Sequence, residues 1–257
     1  MLVSKNIKIG LALSGGSIRG FAHLGVLKII EEHQIPVHMI AGTSIGAIIG
    51  ALYASGYSVK ELISITSRIR WKHLFQFPTS PAGISSGEPI ERLLKRVIPH
   101  DSFDKLGVPF QAVVTNITQG KSLSFGEGSL SAAIRMSATF PGIYSPMEQA
   151  ESLMMDGGLY ANLPVNAVKA MGADIIIGVD VLPKAELTPK NHNLFEVMDR
   201  SIDLMLKNQP VSPHCNLLLE PVTEWISSME INRKQELIDM GEKAARDNLL
   251  PFMATFI

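Results

Sequence analysis

The sequence predicts an α/β protein, a three-layer α/β/α sandwich with a mainly parallel central sheet. Short apolar segments alternate with segments of helical periodicity, which is typical of parallel strands connected by helices. The almost continuously apolar run ADIIIGVDV at residues 173–181 favours a strand that helices cover on both faces. With 257 residues, of which 46% are hydrophobic and 18% charged, the chain can bury one large core.

The first half of the chain gives a regular succession of elements. A strand is predicted at 7–13, then a glycine-rich loop, a helix at 20–33, a strand at 38–41, a turn at 42–46 and a helix at 47–54. Helical periodicity resumes in SVKELISITSRIR and EPIERLLKRVI.

The second half begins with two strands, PFQAVVTNI and KSLSF, separated by a turn at Gly120. A helix in LSAAIRMSAT, a short strand at 153–155, a loop in DGGLYANLP, a helix ending at Met171 and the strand in 173–181 follow. We expect residues 1–257 to form a single domain, with the chemical motifs in about 7–180 and a helical C-terminal part in about 190–257.

Composition argues against several classes of function. The net charge of -1 gives no basic surface of the kind that binds nucleic acid. A single cysteine, Cys215, cannot form an intrachain disulfide, which fits a reducing cytoplasmic location and a buried apolar role. No carboxylate-rich loop with calcium spacing is present, and we expect neither a metal nor a cofactor.

The uncharged run at residues 39–59 is long enough to span a bilayer and carries glycines at the spacing of a helix-dimer face. Polar residues dilute it, and its first residues, HMIAG, read as a short strand that ends in a turn. A strand followed by a helix is therefore the favoured interpretation.

The segment Gly42-Thr43-Ser44-Ile45-Gly46 matches the pattern G-x-S-x-G between a predicted strand and a predicted helix. In a nucleophile elbow of this kind, the serine occupies a strained turn with its hydroxyl exposed, and the glycines allow neighbouring backbone to approach closely. Small residues at 47, 50, 51 and 54 also suit a helix packed closely on a sheet. Ser44 is the candidate nucleophile, and both interpretations can hold together.

The stretch Gly15-Gly16-Ser17-Ile18-Arg19-Gly20 joins the first strand to the first helix. It lacks the glycine spacing of a dinucleotide fingerprint and the Lys-Ser or Lys-Thr pair of a P-loop. The backbone N–H groups of Gly15, Gly16 and Ser17, near a helix N-terminus, suit an oxyanion hole for acyl transfer. Arg19 would bind substrate through its charge or would pair with a carboxylate.

Asp156 precedes Gly157 and Gly158 at the end of a predicted short strand. An aspartate in this position can be presented into a cleft. Asp-Gly is also the commonest hairpin dipeptide, so the pair taken alone favours a plain turn.

In their order along the chain, the glycine-rich loop with RGFAHLGVL, GTSIG, SATFPGIYSP and DGGLYANLPV resemble the patatin-like phospholipase family, from about residue 7 to about residue 180. The resemblance implies a Ser-Asp dyad, in which Ser44 is the nucleophile and Asp156 the general base. It also implies that the amides of Gly15, Gly16 and Ser17 form the oxyanion hole. The family loop commonly has three glycines, whereas Ser17 occupies the third position here.

The activity that the resemblance implies is hydrolysis of lipid esters, of the phospholipase A or lysophospholipase type, through an acyl-enzyme and without a cofactor. The substrate would be a lipid or a simple acyl ester, and the protein would contact a membrane peripherally. Trp71, Phe75 and Phe77 lie in an apolar segment rich in proline and glycine, which would form either a mobile lid over an acyl chain or a loop that caps the core.

Two further functions stay open at this point. A Ser-His-Asp triad of the α/β-hydrolase type would use His192 or His214, although in that fold the second oxyanion donor comes from a loop after a later strand. A lipid-binding or regulatory module would keep the fold without catalysis. For His23, on the first helix, we expect a packed or capping role.

Overall fold

The computed structural model describes residues 7–68, 83–183, 194–227 and 230–256. Within these ranges, eight strands form one sheet. The strands are β1 (Ile9–Leu13), β2 (Met39–Thr43), β3 (Phe110–Asn116), β4 (Lys121–Phe125), β5 (Met147–Gln149), β6 (Ser152–Asp156), β7 (Ile175–Val179) and β8 (Leu217–Leu219). Their order across the sheet is β5-β6-β3-β2-β1-β7-β8, and β4 pairs with β3 beside this path.

Helices connect and cover the strands. They are α1 (Phe21–Glu32), α2 (Ile45–Ala54), α3 (Val59–Arg68), α4 (Glu88–Val97), α5 (Leu130–Ser137), α6 (Gly158–Ala161), α7 (Val165–Ala170), α8 (Leu194–Lys207), α9 (Lys234–Ala244) and α10 (Leu250–Ala254). A short 3-10 helix, Ser17–Gly20, precedes α1.

Five strands, β1, β2, β3, β7 and β8, pair in parallel. β4 and β6 pair antiparallel with β3, and β5 pairs antiparallel with β6. The mainly parallel sheet predicted from the sequence is thus confirmed. β5 and β8, which have three residues each, were not predicted from the sequence.

Each central strand buries side chains on both faces of the sheet. In β1, Leu11 and Leu13 pack in the larger cluster of the core, which includes residues of α1, α2, α5 and α9. Ala12 points the other way, into a smaller cluster with residues of α7. Because successive strand residues alternate between faces, the continuous apolar patterns correspond to a sheet covered by helices on both sides.

The uncharged run at 39–59 divides into β2, α2 and the start of α3. Among the described residues, no helix has both the length and the apolar character that a bilayer crossing requires.

Helices α1 and α9 touch through their backbones. A Cβ atom on Gly241 would lie 2.0 Å from the carbonyl oxygen of Ala22, and one on Gly25 would lie 2.0 Å from the carbonyl oxygen of Ile238. The two glycines therefore set how closely α9 approaches α1.

Candidate active site

Ser44 is the one residue that connects β2 to α2, and its backbone has φ 54° and ψ −121°. Non-glycine residues rarely adopt this conformation, which costs on the order of 1–3 kcal/mol and persists only where the surroundings enforce it. A Cβ atom on Gly46 would lie 2.3 Å from the carbonyl oxygen of Leu13, and one on Gly42 would lie 2.4 Å from the carbonyl oxygen of Gly46. Both glycines of the G-x-S-x-G pattern are thus required by close backbone contacts.

The sheet brings Asp156 to the same place. β2 ends with Thr43 opposite Val113, and β6 ends with Asp156 opposite Val114, the next residue of β3. β4 occupies the other edge of this part of β3, so β2 and β6 meet end to end along one edge. Asp156 therefore lies beside the elbow because of strand register, not because of a loop.

The carboxyl group of Asp156 is buried, with 5% of the residue exposed. Its Oδ1 accepts a hydrogen bond of 2.8 Å from the N–H of Gly158, and among the described residues Oδ2 has no hydrogen-bond partner. Burial raises the pKa of Asp156 to about 6, while the Ser44 hydroxyl and the Gly158 N–H act in the opposite direction. Ser44 is thus near the carboxylate, although no hydrogen bond of standard geometry joins the two side chains.

The glycine-rich loop lies against the elbow. A Cβ atom on Gly15 would lie 3.2 Å from the Cβ of Ser44. The N–H of Gly15 donates to the carbonyl of Asn162 over 3.4 Å, whereas the structure gives the N–H of Gly16 no acceptor within the described residues. Ser17 has φ 53°, so the turn takes a left-handed conformation at a non-glycine residue.

Arg19 is buried in an ion pair. Its two terminal nitrogens donate to the two carboxylate oxygens of Asp203 in α8, both over 2.6 Å, and its Nε donates to the carbonyl oxygen of Gly16 over 3.1 Å. The side chain is 3% exposed. Of the two roles considered from the sequence, the structure shows the pairing of Arg19 with a carboxylate.

The described histidines have roles other than a bond to the carboxyl group of Asp156. His23 is fully buried with Nε2 2.9 Å from the carbonyl oxygen of Ser14, and burial lowers its pKa to about 4, which fits a packed neutral side chain. His214 is exposed, and no histidine within the described ranges forms a hydrogen bond to Asp156. His192 lies outside the described residues, as do Trp71, Phe75 and Phe77 of the predicted lid.

Two residues that sequence reasoning did not single out support the site. The hydroxyl of Ser137 accepts a hydrogen bond of 2.9 Å from the N–H of Ser44, and the side-chain amide of Asn162 donates to the carbonyl of Gly15 over 3.4 Å. Both lie in segments quoted for the resemblance, SATFPGIYSP and DGGLYANLPV. The segments were informative, but the individual roles depend on contacts between distant parts of the chain.

The model of the family described as "Patatin-like phospholipase" matches residues 11–169. Lysophospholipase NTE1 of Pyricularia oryzae is 27% identical over 270 residues, which cover 91% of this chain and 18% of that protein. An uncharacterized NTE family protein of Mycobacterium tuberculosis is 34% identical over 182 residues, which cover 69% of this chain and 50% of that protein. This chain therefore spans half or less of these curated relatives.

The fold is also similar to solved structures. The crystal structure of VipD from Legionella pneumophila aligns with a TM-score of 0.58 and 16% sequence identity, covering 95% of this chain and 67% of that one. At this identity the likeness concerns the fold alone. The family match covers more than half of the chain and runs from β1 through the elbow and Asp156 to α7. The chain therefore belongs to the patatin-like phospholipase family.

Proposed function

We propose that this protein hydrolyses carboxylic esters of lipids, as a phospholipase A or lysophospholipase, with Ser44 as the nucleophile and Asp156 as the general base. The observation that carries the proposal is the buried carboxylate of Asp156, which has a raised pKa and one oxygen without a hydrogen-bond partner among the described residues, beside a serine on a strained elbow. The similarity to a protein named lysophospholipase supports the substrate class.

The chemistry proceeds in two steps. As Ser44 Oγ attacks the ester carbonyl, its proton passes to Asp156, and the protonated aspartate then donates this proton to the departing alcohol. The acyl-enzyme that results is hydrolysed by a water whose proton goes to Asp156, and the proton returns to Ser44 as the fatty acid leaves. The raised pKa makes Asp156 about a hundredfold more basic than an ordinary aspartate, which suits this role.

The negative charge that develops on the carbonyl oxygen needs hydrogen-bond donors. We assign them to the amides of the Gly15–Ser17 turn, where Gly16 offers an N–H without an acceptor within the described residues. The Gly15 N–H would join only by leaving the carbonyl of Asn162, to which it donates over 3.4 Å. Each such donor stabilises the transition state by about 3 kcal/mol.

The test is hydrolysis of p-nitrophenyl esters, lysophosphatidylcholine and phosphatidylcholine by the wild type and by Ser44→Ala and Asp156→Asn. We expect each variant to lose about 10³-fold or more in kcat, because neither half of the dyad acts without the other. Ser55→Ala is the matched control, since Ser55 directly follows the same helix, α2, and its hydroxyl donates to the carbonyl oxygen of Ala51. Undiminished turnover by Ser44→Ala would rule the proposal out.

A further inference from the structure

Ser137, the last residue of α5, is fully buried and its hydroxyl makes two hydrogen bonds. It accepts from the N–H of Ser44 over 2.9 Å and donates to the carbonyl oxygen of Val113 over 2.6 Å. A hydroxyl has one proton and two lone pairs, so donation to Val113 leaves a lone pair for Ser44. The hydroxyl thus joins the elbow to β3 where the pairing of β2 with β3 ends.

The main chain around Ser137 holds the other member of the dyad. The N–H of Asp156 donates to the carbonyl of Thr139 over 2.9 Å, and the N–H of Gly157 donates to the carbonyl of Ser137 itself over 3.4 Å. One three-residue segment at the end of α5 therefore contacts the backbone of both Ser44 and Asp156.

This contact matters because the elbow is strained. Ser44 keeps its φ of 54° only as long as neighbouring groups hold its backbone. The N–H of Ser44 has no acceptor other than Ser137 within the described part of the chain. Without the hydroxyl, this part-buried N–H would lose the acceptor that the described residues give it, and the elbow would lose its hydrogen bond to the residue that links it to β3.

We propose that Ser137 is a positioning residue of the dyad, whose hydroxyl fixes the Ser44 backbone relative to the strand that carries Asp156. The inference rests on the proposed function, in which Ser44 and Asp156 act together. Ser137 touches neither substrate nor the reacting atoms and acts through the placement of Ser44.

The experiment measures kcat, KM and the rate of labelling by a fluorophosphonate for Ser137→Ala, Ser137→Cys and the wild type. We expect kcat of Ser137→Ala to fall about 10²-fold, because a shift of the Ser44 nucleophile by about 1 Å has an effect of this size. KM should change little. Labelling should slow by a similar factor but still reach one label per chain. The sulfur of cysteine is a weak acceptor for the Ser44 N–H and its S–H a weak donor to Val113, so Ser137→Cys should recover part of the rate. Ser137→Cys also serves as the test if Ser137→Ala does not fold.

Ser131→Ala is the matched control. Ser131 is a fully buried serine of the same helix, and its hydroxyl donates to Asp101 over 2.8 Å, away from the dyad. Its removal should lower the thermal midpoint while leaving the labelling rate per folded chain unchanged.

Ser137→Ala labelling at the wild-type rate, or Ser131→Ala slowing it equally, would overturn the positioning role. Neither result would affect the proposed function, which fails separately if Ser44→Ala keeps its activity.

Discussion

At Asp156, burial and hydrogen bonding act on one carboxyl group in opposite directions. Removal from water raises its pKa, and the hydrogen bond from Gly158 together with the nearby Ser44 hydroxyl lowers it, with burial the larger effect. Within the described part of the chain, the Asp156 carboxylate accepts one hydrogen bond of standard geometry, whereas an exposed carboxylate would accept several. Its basicity is therefore a property of its place at the end of β6.

The pH dependence of the reaction should reflect this pKa. Asp156 must be ionised to accept a proton, so kcat/KM for a neutral ester should be constant above pH 7 and should fall as the pH drops through about 6. At pH 5 we expect about a tenfold loss. The measurement is a pH-rate profile, with circular dichroism at each pH to show that the protein stays folded. A midpoint near 4, that of an unperturbed carboxyl group, would contradict the assignment of Asp156 as the base.

The sequence indicated both residues of the proposed dyad, whereas the contacts that support them could not be predicted. Ser44 lies within a five-residue pattern and Asp156 within a ten-residue segment, so both leave local signals. Ser137 binds Ser44 across 93 positions, and Arg19 binds Asp203 across 184. Neither periodicity nor composition indicates which residues pair across such distances in sequence. The sequence alone therefore could not decide whether Arg19 binds substrate or pairs with a carboxylate.

At the level of elements, a buried ion pair joins α8 to the glycine-rich loop. Arg19 and Asp203 are 3% and 6% exposed, and the Nε of Arg19 also holds the carbonyl oxygen of Gly16. Such pairs contribute little net stability, but loss of one partner leaves an isolated charge in the interior. The pair therefore ties the loop that contains the proposed oxyanion hole to a helix beyond the segment that the family model matches.

We expect Asp203→Ala to lower the free energy of unfolding by about 3–5 kcal/mol, because the Arg19 guanidinium stays buried without its partner. The double variant Arg19→Met/Asp203→Leu should recover stability, because it removes both buried charges. Its kcat should stay low, because the carbonyl oxygen of Gly16 loses the hydrogen bond from Arg19. Denaturant unfolding and esterase assays measure both effects.

Arg246→Ala is the control for this ion pair. It breaks the pair with Glu32, whose side chains are 47% and 39% exposed, and should change the free energy of unfolding by less than about 1 kcal/mol. If Asp203→Ala cost no more than Arg246→Ala, the buried pair would have no special role.

The sequence predicted most elements because their patterns are long. β1, β2, β3 and β7 each have at least five largely buried residues, and α1 has twelve residues, of which nine are buried. The turn predicted at 42–46 proved shorter, since Ser44 alone separates β2 from α2. The loop predicted in DGGLYANLP contains the single-turn helix α6, which four residues are too few to indicate.

On the scale of the whole molecule, the C-terminal residues are part of the α/β structure. β8 extends the sheet beside β7, and α9 packs backbone to backbone on α1, the helix that follows the glycine-rich loop. Sequence reasoning expected helices here and omitted the strand. The close approach of α1 and α9 depends on two glycines 216 positions apart, 25 and 241, which the helical pattern alone did not connect.

Gly241→Ala tests this packing, because the substitution should lower the stability if the helices are in contact and raise it if they are not. Helix propensity favours alanine over glycine by about 1 kcal/mol in a helix interior. Here the added methyl group would lie 2.0 Å from the carbonyl oxygen of Ala22, so α9 must move away from α1, at a cost of about 1–3 kcal/mol or more. We expect a lower thermal midpoint for Gly241→Ala and little change for Asp239→Ala, at an exposed position of the same helix. A midpoint raised by Gly241→Ala would show that the helices are not in this contact.

The end-to-end arrangement of β2 and β6 along one edge of β3 also bears on how such a protein can diversify. The spacing between Ser44 and Asp156 follows from the register of β2 and β6 on β3, where successive residues lie about 3.3 Å apart along the strand. Connections elsewhere can lengthen, shorten or change composition without altering the spacing between these two side chains. Under the proposed function, the range of esters accepted could therefore evolve without moving Ser44 or Asp156.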